Sequence, residues 1–249
     1  MDTELHCKLL PAQVLIKNSV KGDKECNYEL YMIEFINSSL WFREKVGFKK
    51  FHRPESESHG ECDCYAGDYG LDFKLTASQT RLQACSELSN QTVIVDNSGE
   101  HKTIPPKRNT SYHCTVLHKA LQSYDLDGLC ELRKKRYSQG TKKADIRTFL
   151  EKLEFKKNLL LYYPHKFYYR RDIEFNKSVK NIVKGLNYSF KSAMQYRMKI
   201  CPEYETYMGF IYNDFFVIMC YTNNKFKVID YINTQKSPIF TRLYNYVFF

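Results

Sequence analysis

Polar and apolar residues alternate along the stretch 61–75, and this alternation predicts a β-hairpin. Gly67-Asp68 fits a two-residue hairpin loop, which would place Asp63 opposite Asp72 and Glu61 opposite Lys74. Because side chains alternate between the two faces of a strand, these charged residues share one face. The opposite face then holds apolar or weakly polar residues: Cys62, Cys64, Leu71, Phe73 and Leu75.

The charged face of this predicted hairpin suggests a metal site. Carboxylates at directly opposite positions of a sheet repel each other, with Cβ atoms only about 5 Å apart. A hard divalent cation with oxygen ligands would relieve the repulsion between Asp63 and Asp72, and Lys74 is a second positive neighbour. The alternative is an ordinary solvated hairpin face with mixed charges. The concentration of acids and a lysine favours the metal site.

These residues resemble the motif of the PD-(D/E)xK nuclease superfamily, which has the restriction-endonuclease-like fold. Asp63 matches the first Asp of the motif, and Asp72-Phe73-Lys74 matches its D-x-K. Gly60-Glu61-Cys62-Asp63 is similar to the G-E-x-D variant, with Cys62 at the position of the usual Pro. The resemblance implies a core that runs helix, three strands, helix, strand. It also implies a Mg²⁺ ion (with Mn²⁺ as a substitute) bound by Asp63, Asp72 and Glu61, and a water molecule oriented by Lys74.

A helix is predicted upstream, over 25–44, because the stretch is long, apolar on most sides and free of Gly and Pro. Gly47-Phe48 follows as the expected helix end. Glu29 and Glu34 lie among the apolar residues of this helix, where a buried carboxylate needs a partner. In the superfamily such a helix often supplies one further acid to the site, and the spacing to Gly47-Phe48 makes Glu34 the better match. The alternative is that both are exposed helix acids.

The remaining pattern predicts one α/β domain over 1–249, with a mixed central sheet flanked by helices as in restriction endonucleases. Residues 77–155 are interpreted as a mostly helical insertion or subdomain. A buried strand is predicted at 158–163 and a helix at 174–199, and three strands joined by tight turns are predicted at 207–212, 215–221 and 226–232. In this interpretation 158–163 is the third strand of the core.

A formal net charge of +10 favours a polyanionic partner, although a basic protein without such a partner has the same composition. The candidate nucleic-acid contacts are cations in the basic run 133–143 and in an aromatic-rich stretch further on: Lys134, Lys135, Lys143, Arg170 and Arg171. The alternatives for these residues are a solvated helix end or loop, and ordinary strand and core chemistry.

The chain has nine cysteines, and the spacing Cys62-x-Cys64 does not fit the paired units of a structural zinc site. Reduced, buried cysteines are the better interpretation. We find no signal peptide pattern and no apolar stretch long enough to span a bilayer, so we expect a cytoplasmic protein without a membrane partner. The pattern makes no prediction of oligomeric state.

These observations lead to an expected function. We expect a metal-dependent endo- or exonuclease that hydrolyses phosphodiester bonds, with DNA as the preferred nucleic acid. In this interpretation Asp63, Asp72, Lys74 and Glu34 are catalytic. The alternative is a catalytically inactive nucleic-acid-binding module of the same fold.

Overall fold

The computed structural model describes residues 28–54, 61–76, 117–135, 141–167, 174–213 and 215–233. Its strands form one sheet: β1 (Cys64–Ala66), β2 (Tyr69–Leu75), β3 (Asn158–Phe167), β4 (Thr206–Tyr212), β5 (Phe215–Thr222) and β6 (Lys225–Asn233). The helices are α1 (Tyr28–Ser38), α2 (Leu40–Lys45), α3 (Leu126–Lys134), α4 (Thr141–Leu153) and α5 (Phe175–Ile200), and residues 117–121 form a further helical turn.

The six strands lie side by side in sequence order. β1 is antiparallel to β2, whereas β2, β3 and β4 are parallel neighbours. β5 and β6 continue the sheet in antiparallel pairs. Parallel neighbours need a crossover connection, and α3 and α4 lie in the connection before β3, while α5 lies in the one before β4. The predicted α/β class with a mixed central sheet flanked by helices is confirmed.

The sheet separates two apolar cores. One core packs α1 and α2 against one face, where the sheet contributes residues such as Phe73, Leu160 and Phe216. The other packs α3, α4 and α5 against the opposite face, with Leu159 and Leu161 among its residues. A strand buried on both sides reads as a continuous apolar run, and this explains the Leu-Leu-Leu-Tyr-Tyr sequence of β3.

The helix predicted over 25–44 is divided at Ser39, which is fully buried. Its hydroxyl oxygen accepts a hydrogen bond from the backbone N–H of Phe42 and caps α2, as Ser commonly does at a helix start. The same hydroxyl donates to Asp230 Oδ2 at 2.5 Å. A polar contact with β6, on a distant part of the chain, therefore accompanies the break within an otherwise helical pattern.

The later elements occur close to where the sequence places them. β3 differs, since it continues through Pro164 to Phe167 with a register shift between Tyr163 and Lys166. Irregular pairing of this kind accommodates Pro, which lacks an N–H for the ladder.

No helix within the described residues is both long and apolar enough to cross a membrane. The interpretation of 77–155 as an insertion stays a prediction, since 77–116 lies outside those residues.

Candidate functional site

The β1–β2 hairpin has the register that the sequence predicts. Cys64 pairs with Leu71 and Ala66 with Tyr69, so the next position places Asp63 opposite Asp72. Gly67 in the loop has φ +65, as the first central residue of a type II′ turn requires. Cys64, Leu71 and Phe73 are buried against α1 and α2. Because faces alternate, Asp72 and Lys74 point to the opposite side, where α4 and the start of β3 lie.

Asp63 closes the edge of β2 beyond the end of β1. β1 begins only at Cys64, and the chain bends at Asp63. The Asp63 carboxylate accepts a hydrogen bond from the backbone N–H of Phe73 at 2.5 Å. The carboxylate takes the place of a strand partner for this N–H, because the pairing of β1 with β2 ends at Cys64 and Leu71. The short strand thus brings a carboxylate into the plane of the hairpin, next to Asp72.

Lys74 contacts both carboxylates. Its ammonium lies 2.5 Å from Asp72 Oδ2 and 3.9 Å from Asp63 Oδ2. Asp72 is only 2% exposed, and a second ammonium, that of Lys157, lies 3.6 Å from its Oδ1. Lys157 also donates a hydrogen bond to the backbone carbonyl oxygen of Glu61. Lys74 therefore contacts both acids of the hairpin, and Lys157, from the segment before β3, contacts Asp72 alone among them.

The end of α4 and the segment after it form one wall of this site. The Lys74 ammonium nitrogen lies 4.9 Å from the centre of the Phe155 ring, which is within the range of a cation–π interaction. Lys152 donates a hydrogen bond to the backbone carbonyl oxygen of Leu75 at 3.0 Å. The site thus combines a hairpin edge with a short connecting segment of the opposite layer.

A fully buried arginine of α5 holds that connecting segment. Arg197 donates hydrogen bonds to the carbonyl oxygens of Leu153 at 2.7 Å, Lys157 at 2.6 Å and Phe155. It also donates to the hydroxyl of Thr206 at 3.3 Å. Neutral carbonyl and hydroxyl partners satisfy this buried cation, whose pKa burial lowers from its usual value. Arg197 thereby fixes the backbone that carries Phe155 and Lys157.

The electrostatics of the site are unusual at two residues. Burial raises the pKa of Asp63 to about 7, and the Asp72 charge adds to that rise, while Lys74 and the Phe73 N–H oppose it. Burial also lowers the pKa of Lys152 to about 8, and the Lys74 charge contributes. Perturbed groups of opposite type gathered at one place are typical of functional sites, although structural ion pairs produce them too.

The predicted position of Cys62 on the apolar face is wrong. Gly70 lies on the face of Asp72, and a Cβ atom at Gly70 would be only 2.7 Å from Cys62 Sγ. Cys62 therefore lies on the acidic face. The reason is the bend at Asp63, which ends the regular alternation before Cys62 is reached. Burial raises the pKa of this thiol.

Three glutamates near the hairpin have different environments. Glu29 of α1 forms an ion pair with Arg53 at 3.0 Å, and its charge contributes to the raised pKa of Asp63. Glu34 is half-buried on the same helix, and its predicted catalytic role stays a prediction. Glu61 lies beside the site, where its Oε2 is buried with no hydrogen-bond partner within the described residues. Glu29 is thus electrostatically connected to Asp63 of the acid pair.

The described residues bring together few side chains that could bind the predicted metal ion. The parts of the chain that are described contain no group of three His, Cys, Asp or Glu side chains arranged to hold a metal ion. Asp63 and Asp72 remain as neighbouring carboxylates, and Mg²⁺ is often bound through one or two carboxylates with water completing its shell. The two acids therefore fit a hydrated Mg²⁺ ion, provided that the Lys74 ammonium moves away from Asp72.

The predicted nucleic-acid contacts lie on the surface where they are described. Lys134 ends α3, is 72% exposed and pairs with Glu131 at 2.8 Å. Lys135 and Lys143 are exposed. Arg170 and Arg171 lie outside the described residues. Their roles stay predictions.

Sequence reasoning missed the second half of the site. Lys152, Phe155, Lys157 and Arg197 come from two segments far from the hairpin in sequence, and no spacing connects them with Asp72. One signal was available, because Lys157 directly precedes the buried strand β3, and a residue at the start of a strand next to β2 reaches the hairpin.

Comparisons with known proteins identify no relative of this chain. No family model matches it, and neither the curated proteins nor the solved structures contain a match.

Proposed function

We propose that this protein is a metal-dependent nuclease that hydrolyses phosphodiester bonds in nucleic acid, with DNA as the preferred substrate. The observation that carries the proposal is the contact of Lys74 with both Asp63 and Asp72 at the edge of the sheet. Two acids and a lysine at adjacent strand positions provide groups that can bind a cation and a phosphate at the same point.

The chemistry assigns a part to each side chain. A bound Mg²⁺ ion would supply charge neutralisation at the scissile phosphate and a more acidic water. Asp72, whose Oδ1 lies 3.6 Å from the Lys157 ammonium, would supply one oxygen ligand to the ion once Lys74 moves away from it. Asp63, with a pKa of about 7, changes its protonation close to neutral pH. Lys74 supplies a positive charge for the phosphate oxygens and, by the resemblance, orients the attacking water.

The order of the elements also supports the proposal. An antiparallel bridge joins His52 to Tyr65 of β1, so the chain runs from α1 and α2 through an extended segment, β1 and β2 to helices and β3. With the extended segment at His52 counted as the first strand, this order matches the helix, three strands, helix and strand that the resemblance implies. In this arrangement β3 corresponds to the fourth core strand. From the sequence we expected it to be the third. The finer assignment to the restriction-endonuclease-like fold remains part of the proposal.

A binding module without catalysis is the second candidate, and one observation favours it. Lys74 itself neutralises the acid pair at 2.5 Å and 3.9 Å, so the carboxylates have a positive partner without any metal. The +10 net charge then serves nucleic-acid binding alone.

Nuclease assays separate the two candidates. The full chain is incubated with linear duplex, circular and single-stranded DNA and with RNA, in Mg²⁺, Mn²⁺ or chelator. The test variants are Asp72→Asn and Lys74→Met, and the control is Lys180→Ala, which changes an exposed lysine of α5. We expect cleavage that requires metal, a loss of at least roughly 100-fold in both test variants, and full activity in the control.

Metal affinity, measured by calorimetry with Mn²⁺, assigns the roles. Asp72→Asn should weaken metal binding because it removes a charged oxygen ligand, whereas Lys74→Met should retain it. If the wild-type protein cleaves no substrate with any metal, and both variants bind nucleic acid as well as the wild type does, the binding module replaces the nuclease.

A further inference from the structure

The turn after α2 presents an exposed aromatic side chain in a strained conformation. Phe48 is 60% exposed and has φ +60, and Gly47 before it has φ +63. The left-handed region is open to glycine but unfavourable for a bulky residue such as Phe. Residues in sparsely populated backbone regions concentrate at sites with a function.

The hydrogen bonds of the turn explain how this conformation is held. The N–H of Phe48 donates to the carbonyl oxygen of Arg43 at 2.6 Å, and that of Gly47 donates to Glu44 at 3.1 Å. These two bonds form a Schellman motif, which ends many helices. The motif usually adds an apolar contact between the residues at the Phe48 and Arg43 positions. Here the Arg43 guanidinium lies 5.4 Å from the centre of the Phe48 ring, and the ring stays in solvent.

The turn that carries this ring also carries three cations. Arg43, Lys49 and Lys50 are exposed, and Glu44 and Asp68 are the exposed acids nearby. Lys49 extends across the loop of the β1–β2 hairpin, where a Cβ atom at Gly67 would be 2.8 Å from its Nζ. The α2 turn (Arg43 to Lys50) therefore contacts the same hairpin that carries Asp63 and Asp72 at its other end.

We propose that the α2 turn is a nucleic-acid contact surface, on which Phe48 stacks with an unpaired base while Arg43, Lys49 and Lys50 contact the phosphates. An exposed aromatic ring among cations suits single-stranded nucleic acid, because every base has a face that can stack and every nucleotide has a negative phosphate. The choice of nucleic acid as the partner rests on the proposed function. The stacking surface makes that function more specific, because it names the substrate class as single-stranded or locally unpaired nucleic acid.

A single ring does not form an apolar patch for a protein partner, and lysine, which supplies two of the three cations here, is depleted at most protein interfaces. An anionic lipid surface is the other class that the cations and the ring could contact. Single-stranded nucleic acid is favoured over a lipid surface because Lys49 connects the turn to the hairpin of the candidate site.

Binding by the full chain to a fluorescent single-stranded DNA, measured in chelator so that no cleavage occurs, tests the proposal. Phe48→Gly removes the ring and relieves the left-handed strain, so the variant should fold at least as well as the wild type. We expect its Kd to rise about 5- to 150-fold, the range for the loss of one stacked base. Phe48→Trp should retain binding. Tyr188→Ala is the matched control, since Tyr188 is an exposed aromatic residue of α5 with 71% exposure.

The outcomes separate this proposal from the nuclease proposal. If Phe48→Gly binds single-stranded DNA as the wild type does while the wild type cleaves, the stacking surface is wrong and the nuclease stands. If binding depends on Phe48 but no metal supports cleavage, the stacking surface stands and the nuclease is wrong. Binding to phosphatidylserine vesicles that depends on Phe48, without binding to DNA, overturns the proposal in favour of a lipid surface.

Discussion

The guanidinium of Arg197 donates a hydrogen bond to the carbonyl oxygen of Lys157 at 2.6 Å, while the ammonium of the same lysine lies 3.6 Å from Asp72. A fully buried residue of α5 thus determines where a cation of the site is placed. The site depends on a residue that contacts neither acid.

Arg197→Lys should destabilise the fold and disturb the site. Lysine cannot supply the planar set of donors, so buried carbonyl oxygens of the connecting segment lose their partners. We expect the free energy of unfolding to fall by about 2 to 4 kcal/mol, measured by urea denaturation. Lys199→Ala, which changes an exposed lysine in the last turn of α5, is the control. An unchanged unfolding midpoint for Arg197→Lys would show that the hydrogen bonds of Arg197 are not needed.

Asp63 should make stability depend on pH. Burial raises its pKa from 3.8 to about 7 in the folded protein. Below about pH 4 both states hold the proton, and between pH 4 and 7 only the folded state does. The free energy of unfolding should therefore fall as pH rises through this window, by roughly 4 kcal/mol in total, and then level off.

Asp63→Asn tests this pH dependence, because the amide does not titrate and its oxygen can still accept the hydrogen bond from Phe73. In chelator, the variant should be more stable than the wild type at pH 8 and nearly equal to it at pH 4. Parallel pH profiles for the two proteins would show that Asp63 ionises normally.

The sequence predicted the hairpin well, because the information for it is local. Alternation, a Gly in the loop and the opposed acids are contained in stretch 61–75, and the structure confirms the pairing from Cys64 to Leu71. The prediction from sequence failed at Cys62, because the chain bends at Asp63 and the alternation ends there. At this bend the Asp63 side chain accepts the hydrogen bond from the Phe73 N–H. The break at Ser39 was also missed, since its contact with Asp230 joins residues 191 positions apart.

Asp72→Asn should destabilise the protein, even though it removes the charge repulsion between Asp72 and Asp63. Asp72 is buried and contacts both Lys74 and Lys157, so a neutral amide removes the counter-charge of Lys157 and the nearer of the two counter-charges of Lys74. We expect a loss of about 3 kcal/mol in the free energy of unfolding. Asp68→Asn in the exposed hairpin loop is the control. The double variant Asp72→Asn with Lys74→Met should recover part of the loss, and purely additive effects would contradict the pairing.

Gly209 and Gly185 provide a matched pair for the packing of the sheet. A Cβ atom at Gly209 in β4 would lie 2.2 Å from Phe216 Cζ, whereas one at Gly185 in α5 meets nothing within 4 Å. Gly209→Ala should therefore lose about 1 to 3 kcal/mol of stability through overpacking. Gly185→Ala should gain about 0.5 to 1 kcal/mol because it removes glycine from a helix interior. Thermal denaturation of both variants measures this, and equal melting temperatures would contradict the close approach of Phe216.

The basic run has its own test. Lys134, Lys135 and Lys143, changed together to Glu, should weaken DNA binding and reduce its dependence on salt if these residues contact phosphates. The same binding assay across salt concentrations gives the result. Because Lys134 pairs with Glu131, part of its charge is already compensated, and unchanged affinity would assign the run to ordinary surface.

The crossover between β2 and β3 has a consequence for the order of folding. The hairpin joins residues that are close in sequence, and such hairpins form within microseconds. Lys157, however, reaches the carbonyl oxygen of Glu61 across a separation of 96 positions. Closing such a loop costs chain entropy before any contact rewards it, which slows the step. We therefore expect the two acids and Lys74 to come together early, and the site to be completed only when β3 docks. A partly folded chain carries the motif but no assembled site.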